Sequence, residues 1–217
     1  MKMEENIMKS LFINKIGYEH HQEWKNCQDF GFIDERTKCV VDGCSEGKNS
    51  EVGAKLFCHL FQQTHNIKQT FETLLSLYPH FEDIKNHLLF TILYVTEDEE
   101  NFYVHTAGDG YILKQNHENK FSYERLDFDN SPPYYSYNFV PKEYLKKYQD
   151  GVVIEVKSYS KQEYKNIGVA TDGLEYLLRS EHKESFETYL LERKEFSIKR
   201  LINRFHAVCK DDVTISF

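Results

Sequence analysis

Aspartates stand at the ends of apolar runs in three places in this chain. Asp42, Asp109 and Asp172 each close such a run and are each followed by glycine, and Asp211 comes just before the closing run 213–217. Carboxylates at the ends of distant strands can converge when the strands form sheets. Mg²⁺ and Mn²⁺ prefer clustered oxygen ligands of this kind. The pattern therefore predicts a divalent-cation site built from strand ends.

Asp-Gly is also a strong turn signal, because both residues tolerate positive φ. Asp150-Gly151 follows a lysine-rich stretch and precedes an apolar run, so it is interpreted as a turn without chemistry. Asp109 lies between two strand-like runs and is also compatible with a hairpin tip. Asp42 and Asp172 are followed by loop or helix rather than by a return strand, which favours the metal-ligand interpretation.

Composition limits the function classes. The 217 residues carry a formal charge of −8 and no long basic run, which argues against a nucleic-acid partner. The longest apolar run, 88–95, is far shorter than the roughly 20 residues of a membrane span, and Glu4 and Glu5 argue against a signal peptide. Five cysteines form no C-x-x-C pair, which is typical of a reducing compartment. We therefore expect a cytoplasmic protein without nucleic-acid or membrane partners.

The hydrophobic periodicity predicts strands and helices in blocks. Helices are predicted to begin near 49–50 and 67, to occupy a short stretch up to 87, and to cover most of 172–208. Residues 127–150 lack a regular period and are predicted to form an irregular flap within one domain, 1–217. Strands are predicted at 11–16, 30–33, 38–42, 88–95, 101–106, 111–114, 121–126, 152–156, 166–171 and 213–217. This order predicts an α+β domain of antiparallel sheets covered by helices.

Motifs of several reaction classes are absent from the sequence. It contains no G-x-S-x-G elbow, P-loop, dinucleotide-binding glycine fingerprint or H-E-x-x-H motif. Two ions about 3.5–4 Å apart can activate a water for in-line attack on phosphorus without a covalent nucleophile. The carboxylate pattern is therefore compatible with hydrolysis of phosphate esters.

The order of the motifs resembles the metal-dependent serine/threonine protein phosphatases of type 2C, and in particular a compact bacterial branch of them. Each motif is short, but their joint order from His20 to Asp211 covers nearly the whole chain. The matching segments are Gly17-x-x-His20 with Asn26-Cys27-Gln28-Asp29, Val41-Asp42-Gly43 with Gly53-Ala54, Gly108-Asp109-Gly110, Thr171-Asp172-Gly173-Leu174, and Asp211-Asp212-Val213-Thr214.

The resemblance implies a fold and a reaction. The fold is a four-layer α/β/β/α sandwich of two antiparallel sheets flanked by helices. The reaction is hydrolysis of phosphoserine or phosphothreonine in proteins by a metal-bound water, with Mg²⁺ or Mn²⁺ as two ions and a third ion in some bacterial members. The substrate is a phosphoprotein, such as the target of a serine/threonine kinase.

The resemblance also implies roles for individual residues. Asp42 bridges the two ions and the Gly43 carbonyl binds one of them. Asp172 and Asp211 complete the other site. Asp109 matches the position of the third, weaker ion, and Asp29 matches an acid in the outer shell. Asp212 stands where the family often has asparagine, which implies a supporting role.

The chain departs from the family where phosphate is bound. Trp24 stands near the place of an arginine that many members use, and we expect it to pack in the core. His20 and Lys25 are the candidate substitutes for substrate binding. Cys44 stands where some members have a proton-donating histidine, and it is interpreted either as a thiol donor or, more in keeping with its residue type, as a buried cysteine.

Three functions remain open at this point. The complete set of acidic residues favours an active protein phosphatase. The missing arginine and histidine favour a catalytically weak or inactive module that binds a phosphoprotein or partner. A phosphatase for small phosphate esters is the third possibility.

Overall fold

A computed structural model describes residues 10–129, 131–205 and 208–217. The strands of this part are Phe12–Lys15 (β1), Asp29–Ile33 (β2), Lys38–Asp42 (β3), Ile92–Glu97 (β4), Asn101–Ala107 (β5), Gly110–Asn116 (β6), Phe121–Leu126 (β7), Glu155–Ser160 (β8), Tyr164–Ala170 (β9) and Val213–Ser216 (β10). The α-helices are Tyr18–Gln22 (α1), Ser50–Thr64 (α2), Ile67–Leu77 (α3), Phe81–His87 (α4), Leu174–Arg179 (α5), Lys183–Leu191 (α6) and Glu195–Arg204 (α7).

The strands form two five-stranded antiparallel sheets. The first sheet has the order β1-β10-β9-β6-β7, and the second has the order β2-β3-β4-β5-β8. Strand β10 pairs with both β1 and β9, so it joins the first strand of the chain to the rest of the first sheet. Helices cover the outer face of each sheet, so the predicted four-layer α/β/β/α sandwich is confirmed.

Three apolar layers hold the sandwich together. The middle layer lies between the sheets and includes Val40, Leu93, Ile112 and Val169. One outer layer packs helices α5 to α7 on the first sheet, and the other packs α2 to α4 on the second sheet. Burial of apolar area in these layers is the main favourable contribution to folding.

Helix α2 is positioned by an aromatic stripe. Phe57 and Phe61 are one turn apart, and their ring centroids are 5.4 Å from each other. Phe57 also lies 5.2 Å from Phe90, which precedes β4. The helix ends at Thr64, and the next residue, His65, has a left-handed φ of 46° and donates its backbone amide to the Phe61 carbonyl. Because α2 begins directly after the loop that follows Asp42, its packing holds the far end of that loop in place.

Two predicted strands are displaced along the sequence. The strand predicted at 88–95 begins only at Ile92, because Leu88 and Phe90 are buried beneath α2 and Phe90 forms only an isolated bridge with Gly43. The strand predicted at 152–156 forms at Glu155–Ser160, and Val153 is 81% exposed. In the first case part of the apolar run is buried under a helix, and in the second part of it lies in an exposed loop. An apolar run therefore does not by itself locate the paired residues of a strand. The short helix α1 was not predicted.

The segment 127–150 connects β7 to β8 without a strand among its described residues. It contains two 3₁₀ turns, Tyr135–Phe139 and Lys142–Tyr144. The Tyr135 and Phe139 rings lie 4.9 and 5.7 Å from the Phe71 ring of α3. These contacts dock the segment on the outer helical layer of the second sheet. Among the described residues, none of the helices is long and apolar enough to cross a bilayer.

Candidate metal centre

Four aspartates from both sheets line one cavity of about 490 Å³. Asp42 ends β3 and Asp109 follows β5, both in the second sheet. Asp172 follows β9 and Asp211 precedes β10, both in the first sheet. The backbone of Gly43 lines the same cavity. Residues separated by up to 169 positions are therefore brought to one end of the sandwich.

Glycines allow the aspartate loops to approach each other. Gly108 and Gly110 flank Asp109 and have φ values of +121° and +137°, which residues other than glycine rarely adopt. A Cβ on Gly173 would lie 1.9 Å from the Asp212 carbonyl oxygen. Replacement of Gly173 would therefore separate the Asp172 loop from the segment that carries Asp211.

The carboxylates raise one another's pKa. Burial, followed by the charges of Asp29, Asp172 and Asp211, holds the pKa of Asp42 well above its ordinary value. Burial and then the Asp211 and Asp109 carboxylates raise the pKa of Asp172 to about 7. Among the described residues that line the cavity, none is Lys, Arg or His. Such a concentration of unneutralised oxygen donors fits a divalent cation.

Asp29 lies behind the cavity rather than in its lining. It faces Asp42 across the β2–β3 ladder and is 1% exposed. Its Oδ2 accepts a hydrogen bond of 2.5 Å from the Thr171 hydroxyl. Burial and then the Asp212 charge hold the pKa of Asp29 well above its ordinary value. Asp29 thus adds negative charge next to Asp42 from a fixed position.

Asp212 organises the segment around α1. Its two carboxylate oxygens accept hydrogen bonds from the Gly17 amide at 2.7 Å and the Gln28 amide at 2.6 Å. The Nδ1 atom of His20 lies 2.9 Å from Asp212 Oδ2. His20 is therefore held by Asp212 and does not line the cavity. Its proposed contact with substrate has no support in this geometry.

The most closely spaced group of side chains able to bind a metal lies beside the cavity, around Asp212. Atoms of His20, Asp211 and Asp212 lie within 4.8 Å of one another, which no three cavity aspartates achieve in the described part of the chain. The hydrogen bonds to Asp212 account for the group without an ion. Ligands shared between two ions about 4 Å apart need not lie so close together, so the wider spacing of Asp42, Asp172 and Asp211 remains compatible with two ions.

The structure does not bring Lys25 and Trp24 to the cavity. Lys25 Nζ lies 2.6 Å from Glu23 Oε2 at the surface. Trp24 is 95% exposed and has a φ of +57°. The prediction that Trp24 packs in the core is therefore wrong. The residue lies in the tight turn after α1, and its side chain projects into solvent.

The flap contributes a wall that the sequence pattern did not predict. Ser131, Pro132, Tyr134 and Tyr137 line the cavity together with the aspartates. The Tyr134 and Tyr137 rings are 5.4 Å apart. Burial and then the neighbouring Cys44 raise the pKa of Tyr137 to about 12, so its hydroxyl stays protonated at neutral pH. The sequence shows a cluster of tyrosines in this segment. Because they follow no regular period, it does not indicate which of them face the cavity.

Cys44 lines the cavity and is half-buried, so it is not the fully buried cysteine expected from its residue type. Its amide donates to the Leu89 carbonyl at 2.9 Å, and its carbonyl accepts a hydrogen bond from the Ser50 hydroxyl at 2.8 Å. These bonds fix the loop that follows Asp42.

No protein-family model and no curated protein sequence matches the chain. Solved structures do match it. The serine/threonine phosphatase Stp1 from Staphylococcus aureus has a TM-score of 0.61 at 16% identity, over 96% of this chain and 93% of that one. The Mycobacterium tuberculosis serine/threonine phosphatase PstP/Ppp has a TM-score of 0.58 at 12% identity, over 96% of each chain. The catalytic domain of PstP in complex with two manganese ions has a TM-score of 0.59 at 12% identity, over 96% of each chain. This chain therefore has the fold of the bacterial serine/threonine phosphatases.

Proposed function

We propose that this chain is a metal-dependent phosphatase that hydrolyses phosphoserine and phosphothreonine in proteins, such as the targets of a serine/threonine kinase. The observation that carries this function is the cavity in which four aspartates meet without a cationic side chain among the described lining residues. The shared fold with structures named serine/threonine phosphatases supports it. Cysteine usage without paired motifs supports a cytoplasmic location.

We assign two ions, Mg²⁺ or Mn²⁺, to Asp42, Asp172, Asp211 and the Gly43 carbonyl. Asp109 is the candidate ligand of a third ion, and Asp29 supports Asp42 from behind. The mutual repulsion of these carboxylates supports the assignment, because bound cations would relieve it. Such ions supply water activation and neutralisation of the phosphoryl charge when they are bound.

The chain's own residues must then hold the phosphoryl group in an acidic cavity. Gln28, Ser45 and Tyr137 place neutral hydrogen-bond donors in the lining. Neutral donors bind phosphate more weakly than a bidentate guanidinium does. We therefore assign capture of the phosphate to the ions together with these donors, and not to His20 or Lys25.

The variant Asp42→Asn tests this function. It removes one carboxylate charge with little change in shape, and it should lower Mn²⁺-dependent hydrolysis of a phosphoserine peptide about 100-fold or more. Asp150→Asn is the matched control, because Asp150 is exposed and precedes a glycine in the same way. Equal activity of Asp42→Asn and wild type would show that the site is wrongly assigned.

A phosphoprotein-binding module without turnover is the second candidate. The observation that favours it is the absence of Lys, Arg and His from the described lining residues, together with the exposed Trp24. In that case, the protein should bind a phosphopeptide without releasing phosphate, even in excess Mn²⁺. Release of phosphate that is lost in Asp42→Asn would exclude the module. Faster hydrolysis of small phosphate esters than of phosphopeptides would favour a metabolite phosphatase instead.

A further inference from the structure

The cavity of the candidate metal centre has one carboxylate more than those assigned to its ions. Its lining includes Asp42, Asp109, Asp172 and Asp211, and also Glu46. Two or three divalent ions offset at most the four aspartates and a bound phosphoryl group, which carries about two negative charges. Because none of the described lining residues is Lys, Arg or His, Glu46 has no counter-charge in the cavity.

Glu46 stands in a turn whose backbone is fixed by hydrogen bonds. The Gly47 amide donates to the Cys44 carbonyl at 3.0 Å, so Ser45 and Glu46 are the central residues of a β-turn. The Ser50 hydroxyl at the start of α2 donates to the same carbonyl at 2.8 Å. The loop between Asp42 and α2 therefore presents Glu46 at the cavity from a defined position.

The Glu46 side chain is exposed and has no partner among the described residues. It forms neither an ion pair nor a side-chain hydrogen bond with any of them, although Lys48 lies two positions along the same loop. Burial, then Cys44 and Tyr148, and then Glu46 raise the pKa of Tyr137 to about 12. An exposed glutamate is usually only solvated, but the charge of this one acts on the flap that lines the same cavity.

We propose that Glu46 selects phosphopeptides that carry an arginine or a lysine close to the phosphorylated residue. This inference rests on the proposed function and specifies its substrate class. The basic side chain of the substrate pairs with the Glu46 carboxylate and offsets the negative charge that the ions leave. A cavity of about 490 Å³ is roughly 10 Å across, which corresponds to about three residues of extended chain. We therefore expect the basic residue within about three positions of the phosphoserine.

Steady-state hydrolysis of a set of peptides tests this selection. Each peptide has one phosphoserine in an alanine sequence and one arginine at one of the three positions before or after it, and the reference peptide has no arginine. With Mn²⁺, at least one arginine peptide should have a kcat/KM about 3- to 5-fold above the reference, as expected for one ion pair near the surface. The difference should shrink as the ionic strength rises. Hydrolysis of all peptides with equal kcat/KM would overturn the selection and leave the proposed function intact.

Two variants of Glu46 locate the selection. Glu46→Gln should lower kcat/KM of the preferred arginine peptide to that of the reference peptide. Glu46→Lys should favour a peptide with glutamate in place of that arginine, a reversal that a merely structural role would not produce. An arginine preference that survives in Glu46→Gln would overturn the assignment. An equal fold-loss for all peptides in that variant would also overturn it, because Glu46 would then serve the reaction centre and not the basic residue.

Glu99→Gln is the matched control for these variants. Glu99 is also an exposed glutamate in a turn, between β4 and β5, at the end of these strands away from Asp109. The arginine preference of this variant should equal that of the wild type. Loss of the preference in Glu99→Gln as well would show that it follows the net charge of the protein, and would overturn the assignment to Glu46.

Binding without turnover separates the selection from the proposed function. In phosphonate analogues of the preferred and reference peptides, carbon replaces the bridging oxygen, so a phosphatase cannot cleave them. Calorimetry of the wild type in Mn²⁺ should give a Kd about 3- to 5-fold lower for the arginine analogue, and equal values in Glu46→Gln. If this difference is found while no phosphate is released from any peptide, the proposed function fails and the selection stands. Equal Kd values for the two analogues in the wild type, or no binding of either, would overturn the selection.

Discussion

Asp42 is the residue at which the charges of the candidate metal centre converge. Burial raises its pKa, and four other aspartates raise it further: Asp29 on the neighbouring strand, and Asp172, Asp211 and Asp109 in loops at the strand ends. A buried like-charged group of this kind is costly without a counter-ion. The cost is consistent with a functional site rather than with a structural one.

Tyr137 provides a test at the same scale. The variant Tyr137→Phe keeps the ring stack on Tyr148, whose centroid lies 5.8 Å away, and removes the hydroxyl from the cavity. If this hydroxyl binds the phosphoryl group, KM for a phosphopeptide should rise about 3- to 10-fold with little change in kcat, as expected for one neutral hydrogen bond. Steady-state kinetics with Mn²⁺ measures both constants.

Tyr135→Phe is the matched control for that variant. The Tyr135 ring packs against Phe71 and does not line the cavity. Its KM should equal that of the wild type. An equal rise in both variants would point to a general disturbance of the flap, and an unchanged KM in Tyr137→Phe would remove this tyrosine from phosphate binding.

Asp42, Asp109 and Asp172 were predictable from sequence because each closes an apolar run, and Asp211 because it precedes the last one. The side chains that surround them were not. His20 is hydrogen-bonded to Asp212, which lies 192 residues away in the sequence. Tyr137 lies in a segment without hydrophobic periodicity. Local pattern therefore indicates which carboxylates meet, but not which donors face them.

At the scale of elements, Glu124 links the two sheets. It stands on β7 and accepts hydrogen bonds from Lys114 of the adjacent strand and from Lys157 and Tyr159 of β8 in the other sheet. Burial acts to raise the pKa of Glu124, but these three hydrogen bonds outweigh it and lower the pKa to about 2. The sheets are thus joined at this edge by a charged cluster as well as by the apolar middle layer.

Glu124→Gln should reduce the free energy of unfolding by about 1 kcal/mol at pH 7, a value discounted for partial exposure. Because the folded pKa lies below the ordinary value of 4.5, the contribution is present above pH 4.5 and is lost as the pH falls toward 2. Urea denaturation of wild type and variant at both pH values measures the difference. The exposed Glu118→Gln, which breaks the pair with Lys120, should have little effect. A difference that grows toward pH 2 would contradict the assignment.

Element positions followed from periodicity where burial and pairing coincide. Helix α2 and strand β3 form where their patterns predict them. The strand predicted from residue 88 begins at Ile92, because Leu88 and Phe90 are buried against α2 and Phe90 makes only an isolated bridge to Gly43. The hydrophobic period of a sequence indicates which residues are buried. Whether a buried residue belongs to a strand depends on its hydrogen bonds to a neighbouring strand.

At the scale of the whole molecule, the candidate metal centre exists only when the two sheets pack together. Asp42 ends a strand of the second sheet, whereas Asp172 and Asp211 lie in loops beside strands of the first sheet. The middle apolar layer between the sheets therefore sets their separation. The sandwich order was predictable from the sequence of blocks, but this separation depends on side-chain packing across all three layers.

The most direct test is an anomalous-scattering map from a crystal soaked in Mn²⁺. Two strong peaks in the cavity, with oxygens of Asp42, Asp172 and Asp211 at ligand distance of about 2.0–2.2 Å, are expected for a two-ion centre. Asp42→Asn should lose at least one peak under the same soak. A map without peaks among these three residues, at a Mn²⁺ concentration that supports phosphopeptide hydrolysis, would contradict the account.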